Sequence, residues 1–283
     1  MNDTHTADRF EEFRALHRPG APLVLPNAWD HASAAALVAA GFRAVGTTSL
    51  GVAAAAGKPD AAGGTRAETL ALARGLSRLD ALVSVDIEGG FGGDPDEVGA
   101  LAAGLAALGV VGVSLEDGRP DGSLTDPEHQ CAVVRAVKAA APGLFLNART
   151  DTYWLPGRAA ETEDRALAYQ EAGADGVFVP GLLDRAALTG LVTTLRVPLN
   201  VLYSPGGPSV PELAGLGVAR ISTGSLLFRT ALHAAVGAAQ AVAAGTPVAG
   251  AEQVPGYADV DRLAEAFKAS RGPAGAGAAA PGR

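Results

Sequence analysis

Two carboxylates stand two residues apart at the end of an apolar segment, Ala81–Gly92. Asp86 and Glu88 follow a run in which apolar residues alternate with Ser84. In an extended strand, successive side chains point to opposite faces, so both acids are expected on the face of Ser84. Like charges held beside apolar residues need a cation or a bound proton to compensate them. The segment predicts a divalent metal site, and a pair of solvated loop acids is the alternative.

Two further predicted strands carry chemically active side chains near their ends. Glu116 ends the segment Val110–Glu116, and Asn147 and Arg149 lie in Leu144–Thr150. Because the carboxyl ends of the strands of a parallel barrel meet at one mouth, we expect these groups to face a common site. Carboxylate oxygens of this kind suit Mg²⁺, and Mn²⁺ could substitute for it. The predicted metal ligands are Asp86, Glu88 and Glu116.

A metal ion beside Arg149 would bind a small oxyacid, because the metal polarises an oxo or enolate oxygen while the arginine holds a carboxylate. The turn Thr47–Gly51 offers hydroxyl and backbone donors to another carboxylate, with a plain loop as the alternative. The long, glycine-punctuated connection Val52–Gly64 predicts a lid whose Asp60 enters the site on closure. The candidate catalytic residues are Arg149, Asp60 and Glu116, and the candidate substrate-binding residues are Thr47, Thr48, Ser49, Leu50, Gly51, Asp86, Asn147 and Arg149.

Other chemistries find less support in the sequence. The three lysines, at positions 58, 138 and 268, do not end a predicted strand, which argues against a Schiff-base aldolase. The five histidines are scattered, which argues against a zinc site. The single cysteine, Cys131, is expected to pack within a helix and excludes an intrachain disulfide. The turns Tyr203–Ser209 and Ser222–Ser225 lie where many barrels bind phosphate, so a phosphorylated ligand is the rival interpretation.

Apolar segments alternate with alanine- and leucine-rich segments of helical period eight times from residue 23 onward. This pattern predicts an α/β fold, a (β/α)8 barrel, in preference to a doubly wound open sheet. The predicted strands are Leu23–Asn27, Ala44–Ser49, Leu82–Glu88, Val110–Glu116, Leu144–Thr150, Gly176–Pro180, Leu199–Tyr203 and Ala219–Thr223. The predicted helices lie near Asp30–Ala40, Thr65–Leu79, Pro95–Leu108, Pro127–Ala141, Ala160–Ala172, Asp184–Leu195, Ser209–Leu216 and Ser225–Ala244.

The 283 residues, 48% of them hydrophobic, suffice for one large domain, so residues 1–248 are expected to form the barrel. Residues 249–283 are expected to contribute a C-terminal helix, Ala258–Ser270, and a disordered tail, Arg271–Arg283. The net charge of −8 argues against nucleic acid or an anionic membrane surface as a partner. Without a long uninterrupted apolar run or a secretory signal in the polar start, Met1–Glu12, a cytoplasmic protein is expected.

Several ordered motifs resemble those of the isocitrate lyase and phosphoenolpyruvate mutase superfamily. They are Pro26–Asp30, Gly57–Asp60, Val85–Gly92, Ser114–Asp117, Asn147–Asp151 and Arg220–Gly224. The resemblance implies a (β/α)8 barrel whose last helix is exchanged between the subunits of a dimer or tetramer. It also implies a magnesium ion held by Asp86, Glu88 and Glu116, partly through water.

The same resemblance implies residue roles and a chemistry. Arg149 would contact the substrate, Thr47–Gly51 would bind its carboxylate, and Asp60 would belong to a gating loop. The chemistry shared by this superfamily breaks a bond next to an oxo acid, through an enolpyruvate-like anion that the metal stabilises.

The sequence departs from this pattern after the fourth and sixth predicted strands. Lyases acting on isocitrate and methylisocitrate carry Lys-Arg-Cys-Gly-His after the fourth-strand acids, where this chain has Gly118–Leu124. Strand six ends Val179-Pro180-Gly181, without the polar residues used by phosphonate mutases. The expected function is a Mg-dependent lyase that cleaves a carbon–carbon bond in a small 2-oxo or 2-hydroxy di- or tricarboxylic acid, such as oxaloacetate or a methylisocitrate-like acid. The alternatives are phosphorus–carbon chemistry on a phosphonopyruvate-like substrate and a non-catalytic 2-oxo acid binder.

Overall fold

The computed structural model describes the backbone of residues 3–268 and the side chains of residues 8–268. Its strands are β1 (Leu23–Leu25), β2 (Asn27–Ala28), β3 (Ala44–Thr47), β4 (Leu82–Asp86), β5 (Gly112–Glu116), β6 (Phe145–Arg149), β7 (Gly176–Val179), β8 (Leu199–Leu202) and β9 (Arg220–Ser222). They are all parallel and follow the order β1-β9-β8-β7-β6-β5-β4-β3-β2. β1 pairs with β9 and β2 pairs with β3. The sheet therefore nearly closes into a barrel, which confirms the predicted α/β barrel fold.

The first predicted strand is divided at Pro26, which has no N–H to donate to a neighbouring strand. The Pro26 carbonyl still accepts a hydrogen bond from Gly46 N at 2.8 Å. On the other side, the Leu25 carbonyl accepts one from Thr223 N at 3.2 Å. This interrupted strand joins the two ends of the sheet.

The helices are α1 (Asp3–Ala15), α2 (His31–Ala39), α3 (Ser49–Ala55), α4 (Arg66–Leu76), α5 (Pro95–Leu108), α6 (Pro127–Ala140), α7 (Thr162–Glu171), α8 (Arg185–Thr194), α9 (Val210–Gly215), α10 (Leu226–Ala243) and α11 (Tyr257–Leu263). The eight predicted barrel helices correspond to α2 and α4–α10. α1 and α3 are absent from the sequence prediction, and α3 begins inside the predicted turn Thr47–Gly51. α11 and the 3-10 turn after it pack against α2, with the His31 and Phe267 rings 5.4 Å apart. The predicted tail Arg271–Arg283 lies outside the described residues.

The predicted alternation of faces holds along the strands that carry the site. Val113 and Leu115 of β5, and Leu146 and Ala148 of β6, are buried in the core between the sheet and the helices. Glu116 and Arg149 lie on the opposite, inner face and are adjacent in the register of the two strands. The hydrophobic packing outside the barrel therefore aims these charged groups into its interior.

An aromatic cluster closes the amino-terminal end of the barrel. Phe13 of α1 meets Phe145 edge to face, with ring centroids 5.5 Å apart. The imidazole of His17 stacks on the Phe145 ring at 4.4 Å, and its Nδ1 donates to the Phe13 carbonyl at 2.9 Å. Burial, with the nearby Arg220 charge, lowers the pKa of His17 to about 3. His17 is therefore neutral in the folded protein at physiological pH.

This neutral histidine makes folding stability depend on pH. Between pH 7 and pH 5 the unfolded chain protonates His17, whose ordinary pKa is 6.5, while the folded chain does not. The unfolded state thus binds more protons, and this residue alone should lower the free energy of unfolding by about 2 kcal/mol over that range. Urea unfolding of the wild type and His17→Gln at both pH values should show a smaller loss in the variant. The exposed His233→Gln serves as the control, and an unchanged pH dependence in His17→Gln would contradict the assignment.

Candidate active site

A cavity of about 500 Å³ opens at the carboxyl ends of the strands. Its wall combines carboxylates, a guanidinium and hydroxyl groups with a few apolar side chains. The sequence-predicted residues that line it are Thr47, Thr48, Ser49, Leu50, Asp60, Asp86, Glu116 and Arg149. Residues predicted from five separate segments are thus brought together at one mouth, and the predicted lid contributes Asp60.

Asp86 is fixed at the end of β4 by a short chain of hydrogen bonds. Its backbone N–H donates to Thr47 Oγ1 at 2.8 Å, and the Thr47 carbonyl accepts from Asn27 Nδ2 at 2.7 Å. The carboxylate accepts from Glu88 N at 3.1 Å and from Ser49 N, at the start of α3, at 3.3 Å. Burial raises the pKa of Asp86, and the charge of Arg149 opposes this rise. The Ser49 N–H, predicted to receive a substrate carboxylate, thus donates to Asp86 in this structure.

Arg149 lies between two carboxylates. Its Nη1 is 2.8 Å from Glu116 Oε2, and its Nε is 2.6 Å from Asp151 Oδ1. A further bond joins Nη2 to Asp151 Oδ2 at 3.2 Å. A guanidinium has five N–H donors, so two remain available for a ligand. Burial raises the pKa of Glu116 well above its ordinary value, and the charge of Arg149 opposes this rise only in part. The charges of Asp86, Asp151 and Asp60 raise the pKa further.

The side chain of Glu88 does not line the main cavity, although its backbone N–H donates to Asp86. β4 ends at Asp86, and the backbone of Glu88 has a left-handed φ of 50°. One carboxylate oxygen accepts from Gly63 N at 2.9 Å, and the other accepts from the Thr65 hydroxyl. Glu88 lines a neighbouring cavity of about 320 Å³ instead of the main one. The predicted shared face of Asp86 and Glu88 is therefore not formed, and the carboxylate of Glu88 is bound to the lid.

Gly51 and Asn147 also lie outside the wall of the main cavity. A Cβ at Gly51 would stand 2.7 Å from the Cβ of Trp29, so this glycine allows α3 to pack closely on Trp29. Asn147 is buried two residues before Arg149 on β6, and its Nδ2 donates to Ser114 Oγ at 3.4 Å. Neither residue is placed to touch a ligand in the main cavity, although both were predicted to bind substrate.

The turn after β9 offers little to a phosphate. The N–H groups of Thr223 and Gly224 donate to Asn27 Oδ1, at 3.0 and 2.9 Å. Lys58, the lysine of the lid, pairs with Glu68 and does not line the cavity. The backbone donors that the phosphorylated-ligand interpretation would need at this turn are already occupied.

The carboxylates of the cavity provide oxygen donors for a metal ion. Among the described residues, no three histidine, cysteine, aspartate or glutamate side chains converge as a ready-made metal cluster. Asp60, Asp86 and Glu116 nevertheless line the same cavity. Mg²⁺ is commonly bound through one or two carboxylates and keeps several waters. The oxygen donors of Asp86 and Glu116 fit such an ion, and Glu88 could reach it only from the neighbouring cavity.

A buried network behind the cavity holds Arg149 in place. Asp117 is fully buried, and its Oδ1 accepts from Asp151 N at 2.9 Å. Its Oδ2 accepts from the Tyr169 hydroxyl at 2.7 Å and from Arg165 Nη1 at 3.3 Å. Burial raises the pKa of Asp117, and these hydrogen bonds oppose the rise. Asp117 therefore orients Asp151, which in turn holds Arg149.

Comparison with known proteins assigns the chain to a family. The sequence matches the family model described as Phosphoenolpyruvate phosphomutase over residues 13–243. The chain belongs to the phosphoenolpyruvate mutase and isocitrate lyase superfamily. The resemblance inferred from its motifs is thereby confirmed.

Relatives within this superfamily include named lyases. An uncharacterized protein of Mycobacterium tuberculosis H37Rv is 46% identical over 235 residues, which cover 82% of this chain and 89% of the relative. The 2-methylisocitrate lyase of Bacillus subtilis is 34% identical over 196 residues, covering 66% of this chain and 64% of the relative. A solved structure of 2,3-dimethylmalate lyase has a TM-score of 0.78 and 25% identity, and the match covers 90% of this chain and 94% of that one.

Sequence reasoning assigned no role to Asn27, Asp117 or Arg220, although all three lie in the motifs that this chain shares with the superfamily. Asn27 connects β3 with the turn after β9, and Arg220 lines the cavity. Asn27 and Arg220 lie inside predicted strands, and a buried polar side chain there needs a hydrogen-bond partner. Their polar side chains were therefore the signal that could have indicated a role. Asp117 directly follows Glu116, and only the fold shows that it faces Arg165 and Tyr169.

The network around Asp117 yields a stability prediction for this superfamily member. Asp117→Asn removes the charge opposite the buried Arg165 and should lower the free energy of unfolding by about 3–5 kcal/mol. Tyr169→Phe removes one hydrogen bond to the same carboxylate and should cost less, about 1.5–3 kcal/mol. Denaturant unfolding of both variants provides the measurement. Equal small losses in the two variants would show that the Arg165 charge is not held by Asp117.

Proposed function

We propose that this protein is a magnesium-dependent lyase that cleaves a carbon–carbon bond in a small 2-oxo or 2-hydroxy di- or tricarboxylic acid. The observation that carries the proposal is the convergence of Asp86, Glu116, Arg149 and Asp60 on one cavity at the strand ends. The named relatives 2-methylisocitrate lyase and 2,3-dimethylmalate lyase support a lyase within a superfamily that also contains mutases.

Each residue of the cavity takes a distinct role in this proposal. Asp86 and Glu116 would hold the magnesium ion, with water between some of the partners and with Glu88 acting through water. The bound ion would supply positive charge next to the oxo group of the substrate. Arg149 binds a substrate carboxylate with its two free N–H groups, and Asp151 keeps the guanidinium oriented. Asp60 closes over the substrate with the lid and excludes water.

The side chains of the cavity favour decarboxylation of an oxaloacetate-like acid over cleavage of a methylisocitrate-like one. Within the described part of the chain, the cavity wall contains no cysteine, histidine, lysine or tyrosine. Cleavage of the methylisocitrate type needs an acid to protonate the departing carbanion. In decarboxylation, the bond between C3 and C4 breaks and carbon dioxide leaves. The electron pair of the broken bond moves toward the C2 oxo oxygen. C3 of the resulting enolate then takes a proton from water, so no protein acid is required.

Phosphorus–carbon chemistry on a phosphonopyruvate-like substrate is the second candidate. It is favoured by the match to the family model described as Phosphoenolpyruvate phosphomutase. The engagement of the Thr223 and Gly224 N–H groups by Asn27 weighs against a phosphoryl site at that turn. Phosphorus NMR of phosphonopyruvate incubated with the protein tests it, and an unchanged spectrum would exclude it. Tight binding of oxo acids without turnover would instead favour a non-catalytic binder.

The lyase activity can be measured as pyruvate or glyoxylate release from oxaloacetate, isocitrate and methylisocitrate, with Mg²⁺ and with a chelator. We expect release from oxaloacetate that the chelator abolishes. Glu116→Gln should lower kcat by about 100-fold or more, because it removes one charged ligand of the ion and one partner of Arg149. Glu128→Gln, at an exposed position, is the matched control. Full activity without divalent metal would overturn the proposal.

A homo-oligomer, dimeric or tetrameric, is part of the same proposal. α10 is long and apolar enough to cross a membrane by length and composition, and only 6% of it is buried within the chain. Leu232, Val236 and Val242 are 51, 57 and 70% exposed. Arg229 and His233 interrupt the apolar sequence of this helix, which suits a protein interface better than a lipid one. We therefore expect a second copy of the chain to cover α10.

Light scattering after gel filtration tests the covering of α10. The wild type should elute as a dimer or tetramer, and the double variant Leu232→Glu and Val236→Glu should shift toward the monomer, because it places charges in an apolar interface. Leu183→Glu, at an exposed leucine outside α10, should leave the mass unchanged. A monomeric wild type that floats with lipid vesicles would contradict the proposal.

A further inference from the structure

Arg220 is a buried arginine inside the barrel, at the beginning of β9. Its neighbour Ile221 packs in the core between the sheet and the helices, so Arg220 and Ser222 point inward. Arg220 is 3% exposed, and both inward residues line the main cavity. The cavity wall also contains Arg149 and Arg119. Arg119 is exposed to solvent, whereas Arg220 lies inside the barrel.

The guanidinium of Arg220 is largely unpaired. Its Nε donates to Ser222 Oγ at 3.2 Å. Nη1 is buried without a hydrogen-bond partner, and within the described residues Nη2 makes no protein hydrogen bond. No ion pair involves Arg220 in the same part of the chain, whereas Arg149 pairs with two carboxylates. Burying a guanidinium without a partner costs desolvation free energy. A bound anion would offset this cost.

The groups around Arg220 leave this charge uncompensated. Burial lowers the pKa of Arg220 to about 9, and the charge of Asp86 offsets the effect only in part. Arg220 still carries its charge at neutral pH. On the amino-terminal side, His17 is neutral and uses Nδ1–H for the Phe13 carbonyl. The cavity is therefore the side from which a negative group can reach Arg220.

We propose that Arg220 binds the second carboxylate of the substrate and thereby selects diacids over monoacids. The inference rests on the proposed function, in which Arg149 holds the first carboxylate of the same molecule. A planar guanidinium matches a carboxylate through two parallel N–H bonds, which a lysine cannot reproduce. Arg149 and Arg220, the two arginines of the wall that are not exposed, thus suit a substrate with two negative ends. Arg220 determines specificity in this scheme and takes no part in breaking the bond.

Binding of unreactive acids tests this role without turnover. Calorimetric titration of the full chain, with Mg²⁺, should show that malate binds about tenfold or more tightly than lactate, which lacks the second carboxylate. Arg220→Met should bring the two affinities to within about twofold of each other by weakening malate alone. Arg220→Lys should keep part of the preference, and the exposed Arg74→Met should keep all of it. Thermal unfolding of each variant verifies that it is folded.

Three outcomes would overturn the inference. Equal weakening of malate and lactate in Arg220→Met would mean that Arg220 acts through Asp86. An unchanged preference would mean that the second carboxylate binds elsewhere. Tighter binding of phosphonoacetate than of malonate, lost in Arg220→Met, would assign the site to a phosphonate group. If the wild type selects malate through Arg220 yet releases no pyruvate from any substrate, the proposed function fails while this inference stands.

Discussion

The ion pair between Arg149 and Glu116 is the interaction on which the rest of the site depends. Both residues sit on adjacent strands of the barrel and both are largely buried, with side-chain exposures of 19 and 5%. Burial of either group alone would carry a large desolvation cost, which its partner offsets only when the geometry is good. The neighbouring Asp86 and Asp60 add negative charge to the same cavity, which leaves an excess of carboxylates over paired cations. That excess is the physical reason to expect a divalent cation there.

The surrounding fold keeps this charged group in one arrangement. Asp117 orients Asp151, and Asp151 holds Arg149 by two bonds. On the opposite side, Asn27 fixes Thr47, and Thr47 Oγ1 fixes the backbone of Asp86. The Glu88 carboxylate accepts hydrogen bonds from Gly63 of the lid and from Thr65 directly after it, so a movement of the lid would change the hydrogen bonding of this carboxylate.

Much of the fold could be predicted from the sequence, because strands and helices have local patterns of apolar residues. Apolar alternation located the strands. Two helices begin at the prolines of Asp94-Pro95 and Asp126-Pro127, and both aspartates accept hydrogen bonds from N–H groups of the first helical turn. The segments that escaped prediction lack such a pattern. α1 begins in a polar stretch and packs Phe13 against the end of the barrel. α3 occupies residues whose sequence is equally suited to a turn.

The sequence by itself determined the barrel and the inward direction of Asp86, Glu116 and Arg149, because these follow from strand periodicity and from the meeting of parallel strand ends. Its motifs also indicated the superfamily, by resemblance. The tertiary structure alone decided that Glu88 turns toward the lid, that Gly51 packs on Trp29 and that Asn147 lies below the cavity. These outcomes depend on backbone angles and on contacts between residues far apart in the chain, which no local pattern encodes. The unpaired Arg220 belongs to the same class, because only the folded barrel shows which carboxylates lie within its reach and which do not.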